Sequence, residues 1–105
     1  MPYRAPLSDY ALLLDLLGYD RLTATPRFAA IPRDTATAIL AEAARLCETT
    51  LAPLNRIGDT HPARLENGVT RTSPGFAEAY AAIAAGGWIG MAARPDNGGM
   101  GLPLT

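Results

Sequence analysis

Lysine is missing from this sequence, and cysteine and histidine occur once each, as Cys47 and His61. Without lysine there is no phosphate-binding P-loop, and a single cysteine excludes an internal disulfide. Cys47 falls within an apolar helical pattern, which predicts a buried, inert thiol rather than a nucleophile. His61 has no further ligand at metal-binding spacing, so it reads as a solvated loop histidine beside Asp59 and Arg64, and no metal ligand is assigned. Charge is scarce too, at 18% of residues with a net charge of -1. That balance gives no electrostatic reason to expect nucleic acid or an anionic membrane as a partner. Long apolar runs are also lacking. Leu12 to Leu17 is broken by Asp15 and stopped by Gly18, which is too short for a membrane span or a secretory signal. A cytoplasmic location follows by default.

What remains is an ordinary globular composition, 49% hydrophobic over 105 residues. A chain of this size is one domain or less, and folding alone it would bury roughly two thirds of its unfolded surface. The pattern is mainly helical. Ser8 is placed to cap a first helix, with Asp9 in its first turn, the leucines of 12–17 as its apolar content and Gly18 as its stop. So short a helix depends on tertiary contacts. Residues 19–33 carry Pro26 and Pro32 without a clear period and predict a loop, with one helical turn around Tyr19 to Thr23 and with Phe28 and Ile31 tacking it down.

Asp34 then resembles an N-cap. Ala36, Ile39 or Leu40, Ala43, Cys47 and Leu51 recur at amphipathic helical spacing, and Glu42, Arg45 and Glu48 fall largely on the other face. Pro53 lacks a donor and clashes with the Thr49 carbonyl, so the helix kinks there or ends within a residue or two. From Asn55 to Ser73 the chain is polar and turn-rich, and Asn67-Gly68 between Leu65-Glu66 and Val69-Thr70 signals a two-residue hairpin. Thr72 or Ser73 can cap a third helix with Pro74 in its first turn, buried through Phe76, Ala79 or Tyr80, and Ile83, and ended by Gly86-Gly87. Its alanine face from Ala77 to Ala85 suits a helix hairpin against residues 34–52.

The last twenty residues, from Gly86 onward, hold six glycines and two prolines, a shaped loop rather than a helix. Trp88 offers a large apolar surface there, with a donor that needs a partner. The stretch Gly86-Gly87-Trp88-Ile89-Gly90 running into Pro95-Asp96-Asn97-Gly98-Gly99-Met100-Gly101-Leu102-Pro103 resembles the close of the first helical segment of flavin-dependent acyl-CoA dehydrogenases. Leu51-Ala52-Pro53-Leu54-Asn55-Arg56-Ile57-Gly58-Asp59 is similar to a helix end in the same family, and Tyr3-Arg4-Ala5-Pro6-Leu7 to the leader of its larger bacterial subgroup, which includes 3-methylmercaptopropionyl-CoA dehydrogenase-like enzymes. The resemblance covers nearly all of this chain and only the N-terminal part of such an enzyme.

It implies a leader over residues 1–33 with a short leucine-rich helix, then a partial N-terminal helical domain over 34–105. It implies that the complete enzyme uses FAD to take a hydride from the β-carbon of an acyl-CoA while a glutamate takes the α-proton, yielding the 2,3-enoyl-CoA. Flavin contacts and base come from later domains in that family, so no catalytic, flavin-binding or metal residue is carried onto this sequence, and this chain alone binds no cofactor. Its partners would be the remaining dehydrogenase domains, or further copies in a homo-oligomer. Gly98, Gly99 and Gly101 would shape the chain beside the acyl pocket without touching ligand. A free-standing helical interaction module, using Leu12 to Leu17 and the Trp88 region, is the alternative. It predicts a rigid fold with its apolar side chains shielded, whereas the fragment reading predicts bare apolar surface.

Overall fold

The computed structural model describes residues 2–104. Five helices and one hairpin follow in chain order: α1 (Leu7–Leu16), α2 (Tyr19–Thr23), α3 (Arg33–Leu46), a π-turn (Cys47–Leu51), α4 (Ala52–Thr60), β1 (Arg64–Glu66), β2 (Val69–Arg71) and α5 (Phe76–Ala85). Single 3-10 turns at Trp88–Gly90 and Pro95–Asn97 complete it. The fold is mainly α with a two-stranded antiparallel sheet, as expected.

The start of each major helix departs from the sequence reading. Ser8, Asp34 and Ser73 do not cap. α1 starts at Leu7, two residues earlier than a Ser8 cap would place it, because Pro6 presets the backbone and its carbonyl accepts the Asp9 and Tyr10 amides at 3.0 and 3.2 Å. Pro32 does the same for α3, its carbonyl accepting the Ala36 amide at 3.1 Å. α5 begins later, behind Gly75 at φ 82°, and Ser73 is buried upstream of it. Gly18, at φ 70°, separates α1 from α2 as its position predicts.

Pro53 neither ends nor breaks the helix. The π-turn absorbs it: the Ala52 amide donates to the Cys47 carbonyl, five residues back, and the helical path continues to Thr60. Such a one-turn widening is a recurrent way for a helix to accommodate a local misfit. Thr49 supports it by donating its hydroxyl to the Arg45 carbonyl at 2.7 Å. Residues 55–60, expected as polar loop, are therefore helical. The hairpin forms where Asn67-Gly68 places it, in the register Arg64↔Arg71, Leu65↔Thr70 and Glu66↔Val69.

α5 does not pack along the body of α3, and only the end of the expected 34–52 stretch reaches it. It meets the far end of the long helical rod, where Phe76 lies against Gly58 and Leu54 against Gly75, and Leu51 shares a small groove with Ile83. The cause is the continuation past Pro53, which carries the rod to Thr60 before the chain reverses. Of the expected buried stripe, Ala79 is buried and Ile83 half-buried, Ala79 rather than Tyr80 taking the inward position; Phe76 is 40% exposed.

The assembly is thin and open. Its radius of gyration is 17.2 Å, against about 13 Å for a compact chain of this length. Its extents are 54 × 37 × 17 Å, and the last is less than two helix diameters of about 10 Å each. Only Leu14, Tyr19, Ala44 and Ala79 form buried apolar core among the described residues.

Candidate functional site

The glycine-built loop folds back over the junction of α1, α2 and α3, and this is where distant parts of the sequence meet. Its path is set by backbone hydrogen bonds. The Leu102 amide donates to the Met91 carbonyl at 2.9 Å and the Gly101 amide to the Ala93 carbonyl at 2.9 Å. Gly99 is obligatory, because a β-carbon there would overlap the Ala93 carbonyl. Met91, Leu102 and Pro103 thereby close an apolar cavity of about 130 Å³ against Leu14, Tyr19, Ile31 and Leu40. Tyr19 is nearly fully buried and donates its hydroxyl to the Ile31 carbonyl at 2.9 Å. Burial raises its pKa, which keeps the phenol protonated and donating. Phe28 and Ile31 are half-buried, so the loop of 24–32 is held as expected, with Tyr19 supplying the polar anchor.

Outside that cavity lies an open cleft of about 500 Å³ between the two loops, walled by Ile31, Pro95 and Met100 and edged by Arg27, Arg94 and Asp96. Arg27 sits over the Phe28 ring at 5.1 Å, and Arg94 pairs loosely with Asp96 at 3.4 Å. Two cations and one acid edge this apolar-floored cleft. Sequence reasoning missed this juxtaposition, since Arg27 and Arg94 are far apart in the chain and neither belongs to a local motif.

The loop does not fit the phosphates of a flavin. A phosphate cradle needs outward backbone amides, whereas those of Gly98, Gly99 and Gly101 donate to the carbonyls of Pro95, Arg94 and Ala93. Trp88 is half-buried, with its indole edge against the Gly86 α-carbon.

The remaining candidates lie elsewhere. Cys47 is half-buried rather than buried, in a groove of about 350 Å³ shared with Tyr3, Leu51 and Asn55. His61 is exposed, and its Nδ1 lies 2.9 Å from the Thr60 hydroxyl. No cluster of three His, Cys, Asp or Glu side chains occurs among the described residues.

Glu48, expected on the outer face of its helix, instead holds the leader. Its carboxylate accepts the Ala5 amide and the Arg4 guanidinium, both at 2.9 Å, and these bonds draw its pKa below the usual carboxylate value. Arg33 adds a second tie by donating to the Ala11 carbonyl at 3.0 Å and pairing with Asp15 at 2.7 Å.

No protein-family model matches the chain. It is 38% identical over 104 residues to a 3-methylmercaptopropionyl-CoA dehydrogenase of Ruegeria pomeroyi (strain ATCC 700808 / DSM 15171 / DSS-3). The alignment covers 98% of this chain and 18% of that protein, so the chain spans less than a fifth of the curated relative it matches. The matched part is the relative's N-terminal region, in agreement with the acyl-CoA dehydrogenase resemblance of the leader, the Pro53 segment and the glycine loop. No helix among the described residues is long and apolar enough to cross a membrane.

Proposed function

We propose that the chain serves as the N-terminal packing segment of a flavin-dependent acyl-CoA dehydrogenase and is catalytically silent by itself. In this reading residues 1–33 are the leader and 34–105 the partial helical domain; the outermost positions, Met1 and Thr105, lie outside the described residues. The observation that carries it is the 38% identity across 98% of the chain to one end of a much longer dehydrogenase. The thin, open shape supports it. Leu12, Leu16, Leu17, Tyr80 and Ile89 are each more than half exposed, as expected for helices that pack on further protein.

The complete enzyme would bind FAD and oxidise an acyl-CoA in the cytoplasm, with flavin and base supplied by domains other than this one. The contribution of these residues would be shape: the glycine loop seated on the helix junction and the apolar faces offered to its neighbours. The free-standing interaction module is disfavoured by the small core, because that reading calls for shielded apolar side chains.

A chimera tests the proposal. The N-terminal region of the Ruegeria pomeroyi relative is replaced by this chain, and flavin content and acyl-CoA-dependent dye reduction are measured beside the chain alone. The expected result is a soluble, yellow, active chimera and a colourless, inactive chain. A chimera that misfolds, or a lone chain that binds flavin and turns over acyl-CoA, would overturn it.

A further inference from the structure

The sequence contains two Asn-Gly steps in closely matched local settings, Glu66-Asn67-Gly68 and Asp96-Asn97-Gly98. All four Asn and Gly residues are exposed. The fold treats them differently. Asn67 and Gly68 sit at φ 50° and 77°, the two positive values that a type I′ hairpin turn requires, while Asn97 ends a 3-10 turn. The Gly98 amide donates to the Pro95 carbonyl at 2.9 Å and the Asn97 amide to the Arg94 carbonyl at 2.9 Å. The Gly68 amide donates to no protein acceptor among the described residues, and a β-carbon at Gly68 would meet nothing within 4 Å.

We infer that Asn67 is a site of spontaneous deamidation, favoured over Asn97 by the fold. The Gly68 backbone nitrogen gives up its proton to solvent base and attacks the Asn67 side-chain carbonyl carbon. A new N–C bond closes a five-membered succinimide, the bond from that carbon to the amide nitrogen breaks, and ammonia leaves. Water then opens the ring at either carbonyl, leaving an aspartate or an isoaspartate at position 67. Overall the side-chain amide and one water become a carboxylate and ammonium, with no redox partner. Glycine at 68 leaves the attacking nitrogen unscreened by a side chain. At Gly98 the same nitrogen is held in a hydrogen bond that must break before attack. The aspartate product places a second negative charge beside Glu66, and the isoaspartate product lengthens the backbone at the turn, which disturbs the register of β1 and β2.

The full chain, and separately the chimera described above, is incubated at mildly alkaline pH and cleaved after arginine. The fragment Leu65–Arg71 carries Asn67, and because trypsin spares the Arg94–Pro95 bond the fragment beginning at Thr72 carries Asn97, so mass spectrometry reads the two conversions independently. Asn67 is expected to convert several-fold faster than Asn97 in at least one of these two backgrounds, and the preference is expected to vanish in urea. Gly68→Ala is expected to slow the conversion at Asn67 several-fold. Equal rates at the two steps in both folded backgrounds, a preference unchanged by urea, or no conversion at Asn67 would each overturn the inference.

Discussion

The Glu48 carboxylate accepts the backbone amide of Ala5 at 2.9 Å, joining the leader to the π-turn across a sequence separation of 43. The same carboxylate takes Arg4, so one side chain fixes both the path and the charge of the leader. Glu48→Gln keeps an acceptor and loses the ion pair, while Glu48→Ala loses both. Amide exchange at Ala5 should therefore accelerate modestly in the first variant and strongly in the second, as read by hydrogen-exchange mass spectrometry.

The same contact has a pH sign. Its hydrogen bonds to Ala5 and Arg4 hold Glu48 below the usual carboxylate value, so docking is at full strength above the free-carboxylate pKa. It is lost as pH falls through the lowered, docked-state pKa. Exchange at Ala5 should stay slow at neutral pH and rise only in acid, below the range where an unpaired glutamate titrates. The comparison must be made after correction for intrinsic exchange rates. A release already complete above that range would contradict the geometry.

Gly99→Ala places a methyl group into the Ala93 carbonyl, a backbone obstacle that no rotamer change relieves. The expected cost is about 1–3 kcal/mol or more. Gly90→Ala is the control, since its β-carbon would meet nothing within 4 Å and Gly90 is not at positive φ; its effect should stay within about 0.5 kcal/mol. Denaturant unfolding of the two variants in the chimera gives the comparison.

Tyr19→Phe removes the donor to the Ile31 carbonyl and leaves the ring in place. The expected loss is on the order of 1 kcal/mol. Because burial raises the phenol pKa, this contribution is complete below the ordinary tyrosine value. It fades only as pH climbs toward the raised one, so the wild-type advantage over the Phe variant should be flat through neutral pH.

Leu16→Glu and Leu17→Glu alter side chains that are 71% and 62% exposed. In the isolated chain both should reduce binding of a hydrophobic dye and self-association, with helix content by circular dichroism little changed. In the chimera the same substitutions should lower the yield of folded enzyme. A chain that binds no dye before substitution would remove the basis for the packing proposal.

Much of this was legible residue by residue. Gly18 and Asn67-Gly68 act through their own backbone preferences, so their turns could be read from sequence. The three cap assignments failed because Pro6, Pro32 and Gly75 set the helix starts through backbone geometry, where side-chain capping had been expected. The continuation past Pro53 was hidden because a proline removes only one donor, and a single wider turn restores the path. Glu48 was misplaced for another reason. Helical periodicity reports which side a residue occupies, and the leader happens to run along the side that looked free. The Arg27 and Arg94 cleft depends on loop closure between distant segments, for which local pattern carries no signal.

A body only 17 Å deep has almost no interior, so depth is a poor guide to which of its positions matter. Its side chains are sorted by the neighbour they face. Tolerance to substitution across α1 and α5 should accordingly trace the outline of an adjoining surface, and a mutational scan of the assembled enzyme would draw that outline without a structure of the complex.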